Sequence, residues 1–212
     1  MAWQYDWTNT YHAHYYFESN APLALGVMQQ AGWTYNAGIA VIGNLEQESG
    51  INPGQWQGGY NIGDWDNNSC GFGLAQWTPG RKYAIYIGYP TGSPPVSEAA
   101  DGERQMQFLI NTPSQWSTGL VDMNTGYSSY YGITVPILPN MAAFAASNAS
   151  IEDLTAAWMV YWERPSNLYA GLANRIAFAQ HYAGITPSYG NNYWLYKWWK
   201  RKQALKRNGV II

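Results

Sequence analysis

Between Gly50 and Gly80 the chain loses helical periodicity, and this break constrains the fold more than any other feature of the sequence. The stretch is rich in Gly, Asn, Asp and Trp. It includes Gly58-Gly59 and Asp66-Asn67-Asn68-Ser69, which favour turns and a short irregular sheet over a helix. The segment before it reads as two helices. One runs from Asn20 or Ala21 to Gly32 with Leu23, Leu25, Val27 and Met28 as its apolar material. The second is capped by Thr34 and carries Ile39, Val41, Ile42 and Leu45 at helical spacing to about Ser49, ending at Gly50 before Pro53. Beyond the break, a helix is expected from Ser97 through Phe108, Leu109 and Ile110. Three more are expected at Asn140 to Ala146, Ile151 to Trp162 behind the cap Ser150, and Leu168 to Ala183 closed by Gly184. Helices on both sides of a turn-rich segment predict an α+β fold, predominantly helical, in which the irregular segment walls a cleft.

With 47% apolar residues the chain can fill a core, and its lone cysteine, Cys70, leaves that core to hold the fold without an internal disulfide. Only 11% of residues are charged, against roughly 25% in ordinary soluble proteins, while 17% are aromatic. Such a balance suits a surface that stacks on sugar rings, and equally a core packed with indoles. Residues 1 to 16 lack a basic and then apolar leader, and no run approaches the roughly 18 apolar residues of a membrane span. A substrate outside the cytoplasm is therefore expected to require delivery by another agent.

The net charge of −2 conceals a division. Residues 1 to 190 carry all 13 acids and five bases, whereas the last 22 carry six bases, Lys197, Lys200, Arg201, Lys202, Lys206 and Arg207, with Trp194, Trp198 and Trp199. Residues 187–212 therefore read as a basic, Trp-rich helical tail after the linker at Thr186 to Gly190. Its segment 193–208 suits an anionic surface, a neighbouring protein or its own acidic domain. Nucleic acid is not an expected partner, because the remaining surface would repel phosphates.

Chemistry concentrates around Glu46 and Glu48. Two residues of helix turn through about 200°, so the two acids face opposite sides and only one can enter a cleft. Glu48 stands at the last turn, where the helix's carbonyl ends favour a proton-bearing acid. The string Gly71-Phe72-Gly73-Leu74-Ala75-Gln76-Trp77-Thr78-Pro79 follows. Its glycines permit close backbone approach, and Gln76 with Trp77 offers an amide and a ring face to a saccharide. Further on stands Trp162-Glu163-Arg164-Pro165.

These three segments, the first running from Gly43-Asn44-Leu45 into Glu48-Ser49-Gly50-Ile51-Asn52-Pro53-Gly54 with Trp56, resemble the motifs of the phage tail lysozyme family, and more distantly the lysozyme and soluble lytic transglycosylase superfamily. The resemblance runs from about Leu23 to Tyr182. It implies a lysozyme-like fold with a small irregular β region at the cleft, formed by residues 1–186 with 1–20 as an amino-terminal extension. It also implies a muramidase that cuts the β-1,4 bond between N-acetylmuramic acid and N-acetylglucosamine without a cofactor, acting from a phage tail or on release from the host. Bacterial peptidoglycan is the implied partner, with other phage tail proteins a further one.

By this resemblance Glu48 is the general acid. Ser49, Gly71, Phe72, Gly73, Gln76, Trp77, Tyr161 and Trp162 are expected to bind glycan, with Ser49 orienting the acid. The family usually places Tyr immediately before Glu-Arg-Pro, where this chain has Trp162, so Tyr161 is expected to supply the missing hydroxyl. Asp64 and Asp66 are candidates for a second carboxylate. A separation of about 5 Å from Glu48 predicts retention and about 6.5 to 9.5 Å inversion, and absence of both from the cleft favours a lytic transglycosylase. Glu163 and Arg164 are expected to pair with each other at a helix end. His12 and His14 fall short of a metal site, and Cys70 with His181 falls short of a peptidase pair.

Overall fold

The computed structural model describes residues 2–7, 17–57, 63–119, 121–122, 127–128, 134–165 and 168–189. The basic tail and the pair His12 and His14 lie outside them. Eight α-helices are described: α1 Ala21–Gln30, α2 Tyr35–Ser49, α3 Arg81–Tyr86, α4 Val96–Ala99, α5 Gly102–Ile110, α6 Met141–Ala145, α7 Ile151–Trp158 and α8 Leu168–Tyr182. The predominantly helical character matches the sequence reading. The described strands, β1 Val121–Asp122 and β2 Tyr127–Ser128, form one antiparallel pair. Between Gly50 and Gly80 the described residues form turns with two isolated bridges, Trp56 to Phe72 and Phe72 to Trp77, so no β ladder is seen there.

α2 is the central helix. Thr34 caps it by accepting from the Ala37 N–H, and Gly50 stops it in the left-handed conformation at φ 61°. Everything from Ala37 to Glu46 is buried, because the helix is apolar or small around most of its girth and packs on α8, α7 and α1. The expected long helix after Ser97 is broken in two. Asp101 leaves helical geometry to cap α5 through the Arg104 N–H, and the glycine that follows leaves room for the ring of Trp3, where a Cβ would collide.

Trp3 belongs to an amino-terminal segment stapled by two buried asparagines. Asn20 receives the Gln4 N–H at 2.8 Å and donates to the Gln4 carbonyl at 2.7 Å; Asn52 does the same for Asp6 at 3.0 and 2.9 Å. Each side-chain amide acts as a one-residue strand partner, and Trp7 is thereby set edge-on against Trp56 and Phe72. Of the described tryptophans, Trp33, Trp56, Trp65, Trp77, Trp158 and Trp162 are buried, so most of the described indoles serve the core.

Candidate active site

The site begins where α2 crosses α8. Gly43 allows the crossing, since a Cβ there would lie 2.6 Å from the Arg175 carbonyl oxygen and 2.7 Å from the Ala179 nitrogen. The close approach brings Arg175 of α8 against the last turns of α2. Its Nη1 donates to Asn44 Oδ1 at 2.9 Å, and its Nη2 donates to Glu48 in an ion pair. The arginine side chain is 4% exposed and that of Glu48 22%, so the pair has a dry side in the protein and an open side toward solvent. Glu46 is buried and accepts from the Tyr182 hydroxyl at 2.9 Å. Of the two acids only Glu48 lines the cleft.

The open side of Glu48 is a cleft of about 380 Å³. One part of its lining is the loop that ends the turn-rich segment, with Gln76, Trp77 and Thr78. Another part is Trp162, Glu163, Arg164 and Pro165, and Gln57, Lys82 and Gln115 complete the rim. The loop is held from behind by Gln105, a fully buried amide of α5. Gln105 accepts from the Leu74 N–H at 2.8 Å and donates to the carbonyls of Pro53 and Ala99, both at 2.7 Å. The glycines of the loop serve this packing. A Cβ on Gly73, whose φ is 79°, would strike the Gln105 amide, and one on Gly71 would lie 2.8 Å from the Gln76 carbonyl oxygen. The close approach expected of them is thus made by the chain's own amides. Gln76 itself sits at φ 48°, with its Nε2 donating to the Gly73 carbonyl at 2.8 Å.

The part of the lining that carries Trp162 depends on a π-helical turn, Met159–Glu163, which extends α7 and is closed by the Arg164 N–H donating to the Met159 carbonyl at 2.8 Å. Bonds from i to i+5 bring residues five apart onto one side, so Trp158 Nε1 donates to Glu163 at 3.0 Å. Trp162 stacks on Trp158, with centroids 4.7 Å apart at 19°. Arg164 leaves the turn at φ 50°, and its Nε donates to the Trp162 carbonyl at 3.3 Å. Two non-glycine residues in left-handed geometry, Gln76 and Arg164, therefore line the cleft, a kind of strain that gathers at functional sites.

The expected clamp between Glu163 and Arg164 does not form. The Glu163 carboxyl takes its hydrogen bond from Trp158 and turns toward Glu48 and Arg175. Burial, and then the neighbouring Glu48 charge, push it well above the ordinary carboxylate range, against the pull of Arg175, the Trp158 hydrogen bond and Arg164.

Glu48, Gln76, Trp77 and Trp162 are thus brought to one cleft. Ser49 is behind it, its hydroxyl 2.9 Å from the Leu74 carbonyl and 3.1 Å from that of Leu45, so it ties the helix end to the loop rather than orienting the acid. Gly71, Phe72 and Gly73 are buried beneath the loop. Tyr161 is fully buried, stacked on Trp116 and donating to the Pro136 carbonyl at 3.1 Å, and so does not supply a hydroxyl to the cleft.

Asp64 and Asp66 are exposed and are not among the cleft residues. Asp66, 71% exposed, pairs with Arg81 at 2.8 Å, which keeps its carboxyl below its ordinary range. Cys70 is buried beside Gln57 and Gly71, where desolvation raises its thiol. His181 meets Glu18 and Tyr182 on α8.

Arg175 and Gln105 escaped the sequence reading, and Glu163 was expected only as the partner of Arg164. Arg175 was legible in principle, because Leu172, Arg175, Ala179 and Tyr182 share the core face of α8. Glu163 and Gln105 were not, since one depends on the π turn and the other on a fold-back of the loop.

A helical fold with an acid at the mouth of a polar cleft, at the end of a buried helix, belongs to the lysozyme-like class. Residues 19–185 match the family described as phage tail lysozyme, and the chain belongs to that family. Among curated proteins it is similar to "Morphogenesis protein 1" of Bacillus phage B103, 31% identical over 148 residues, which are 70% of this chain and 34% of that protein. The chain thus spans about a third of the length of this relative. Family membership gives it a phage-associated, lysozyme-like role.

Proposed function

We propose that the chain is a muramidase that hydrolyses the β-1,4 bond between N-acetylmuramic acid and N-acetylglucosamine in bacterial peptidoglycan, with Glu48 as the general acid. The observation that carries this reading is the half-open position of Glu48 at the end of α2, over a cleft whose rim is amide, hydroxyl and cation. Gln57, Gln76, Thr78 and Gln115 suit sugar hydroxyls and acetamido groups. The edges of Trp77 and Trp162 suit the apolar faces of the rings, and Lys82 and Arg164 suit the carboxylates of muramic acid and its peptide. Protonation of the glycosidic oxygen by Glu48 breaks the C–O bond, and water captures the oxocarbenium-like sugar. The segment Gly50 to Gly80 serves as one cleft wall. Residues 1–186 make up the catalytic unit, and 193–208 dock on tail proteins or an anionic surface. Delivery in a phage tail fits both the family and the B103 relative.

The position of Asp64 and Asp66 away from the cleft favours a second reading, a lytic transglycosylase in which a substrate hydroxyl replaces water. Digestion of purified peptidoglycan by wild type and Glu48→Gln, with products read by mass spectrometry, tests both. Reducing muropeptides from wild type, reduced by about 10²-fold or more in the variant, support the muramidase. Anhydromuramic ends support the transglycosylase. Equal release by wild type and variant removes Glu48 from the chemistry.

A further inference from the structure

Two carboxyl groups line the cleft beside one buried guanidinium. Glu48 comes from α2, Glu163 from the π turn after α7, and Arg175 from α8. Arg175 commits its Nη2 to Glu48 and its Nη1 to Asn44. Among the described residues, Glu163 receives the neutral indole N–H of Trp158. The charged groups that face Glu163 are Glu48, Arg175 and Arg164, with Lys82 on the opposite rim. Two neighbouring carboxyl groups, of which Glu48 takes the ion pair with the buried guanidinium, do not both ionise easily, and one keeps a proton. Glu48 is engaged by the Arg175 ion pair, yet a general acid must bring a proton to the glycosidic oxygen.

We propose that Glu163 holds that proton at rest and passes it to Glu48 when substrate enters, so that Glu163 is a positioning residue acting through the acid. This rests on the reading of Glu48 as the general acid. The transfer balances: the Glu163 carboxyl becomes a carboxylate as Glu48 becomes a carboxylic acid, directly or across one water. Glu48 then gives the proton to the leaving oxygen as the C–O bond breaks, and the departing sugar retains the bonding pair as its hydroxyl. Substrate favours the exchange by displacing water from the open side of Glu48, which leaves its charge less solvated, while Arg175 remains beside both groups. The direction of the Glu163 shift, set by burial and by Glu48, agrees with a proton kept there above the ordinary carboxylate range.

The test pairs an equilibrium measurement with a kinetic one. Glutamate carboxyl carbons are followed by ¹³C NMR against pH in wild type, Glu163→Gln and Glu48→Gln, and pH profiles of muropeptide release are taken for wild type and Glu163→Gln. Gln keeps an acceptor for Trp158 but holds no transferable proton.

The expected result is a wild-type resonance that titrates above the ordinary range, vanishes in Glu163→Gln and persists in Glu48→Gln with a lower midpoint. Its loss in Glu163→Gln distinguishes it from Glu103, which burial also raises. The alkaline limb of turnover in Glu163→Gln is expected to fall by about one pH unit or more, with kcat reduced and KM little changed. A resonance absent from wild type, one lost instead in Glu48→Gln, or an alkaline limb coincident with that of wild type overturns the proposal. Failure of the muramidase reading shows separately, as wild type that releases no product while the titration is unaffected.

Discussion

Replacing Gln105 by Leu keeps much of the side-chain volume and removes all three hydrogen bonds that hold the loop carrying Gln76 and Trp77. The site is fully buried, so water cannot take over. The orphaned Leu74 N–H is expected to cost about 2 kcal/mol, and the two carbonyls, which tolerate under-satisfaction better, about 1 kcal/mol each. The apolar replacement returns about 1 kcal/mol, leaving a loss of about 3 kcal/mol. For a domain of ordinary stability that is a large fraction of the total. Urea unfolding followed by tryptophan fluorescence measures it as a lower midpoint at unchanged slope. The loop should also lose its register, so turnover is expected to fall more than stability requires at temperatures where the variant is still folded. A loss below about 0.5 kcal/mol would refute the reasoning, because it would mean the amide contributes no more than an exposed contact.

Gly43→Ala gains helix propensity but drives a methyl group against the backbone of α8, so denaturation should show a loss of about 1 to 3 kcal/mol instead of a gain. Arg175→Met removes the counter-charge of Glu48 and the partner of Asn44; because Glu48 is partly exposed, a loss of about 2 kcal/mol is expected by urea titration, with markedly reduced peptidoglycan release. Stability should also depend on pH through Glu163. Its carboxyl is raised in the folded state, so the unfolded chain releases that proton first. Stability is therefore full below the ordinary carboxylate value of 4.5 and declines as pH rises toward the raised value. Thermal melting of wild type against Glu163→Gln across that range should show a steeper alkaline decline in wild type.

Much of the scaffold was legible because local rules governed it. Thr34, Asn140 and Ser150 each cap a helix with a side-chain oxygen, and Gly50 and Gly184 close helices at positive φ. Where such rules met a tertiary demand they gave way. The expected single helix after Ser97 is divided so that Gly102 can accommodate Trp3, and the helix through Trp162 finishes as a π turn. The same competition governed the candidate site. Asp66 was a reasonable cleft acid by position in the chain, but Arg81 is within 2.8 Å and draws it to the surface. Tyr161 precedes Trp162, but it stacks on Trp116 and donates to the Pro136 carbonyl inside the core.

The sequence by itself determined that Glu48 ends a capped, buried helix, that Glu46 must face away from it, and that the Gly71 to Pro79 string follows as a loop. These depend on interactions within a few residues and on helical periodicity. Only the tertiary structure decided what surrounds that acid. Arg175 lies 127 residues along the chain from Glu48, and it reaches the acid because Gly43 lets two helices pack without an intervening Cβ. Glu163 joins them through i to i+5 bonds that no 3.6-residue period anticipates. Charge pairing and burial at this site depend on which helices touch, and that is set by close packing over the whole core rather than by any local stretch of sequence.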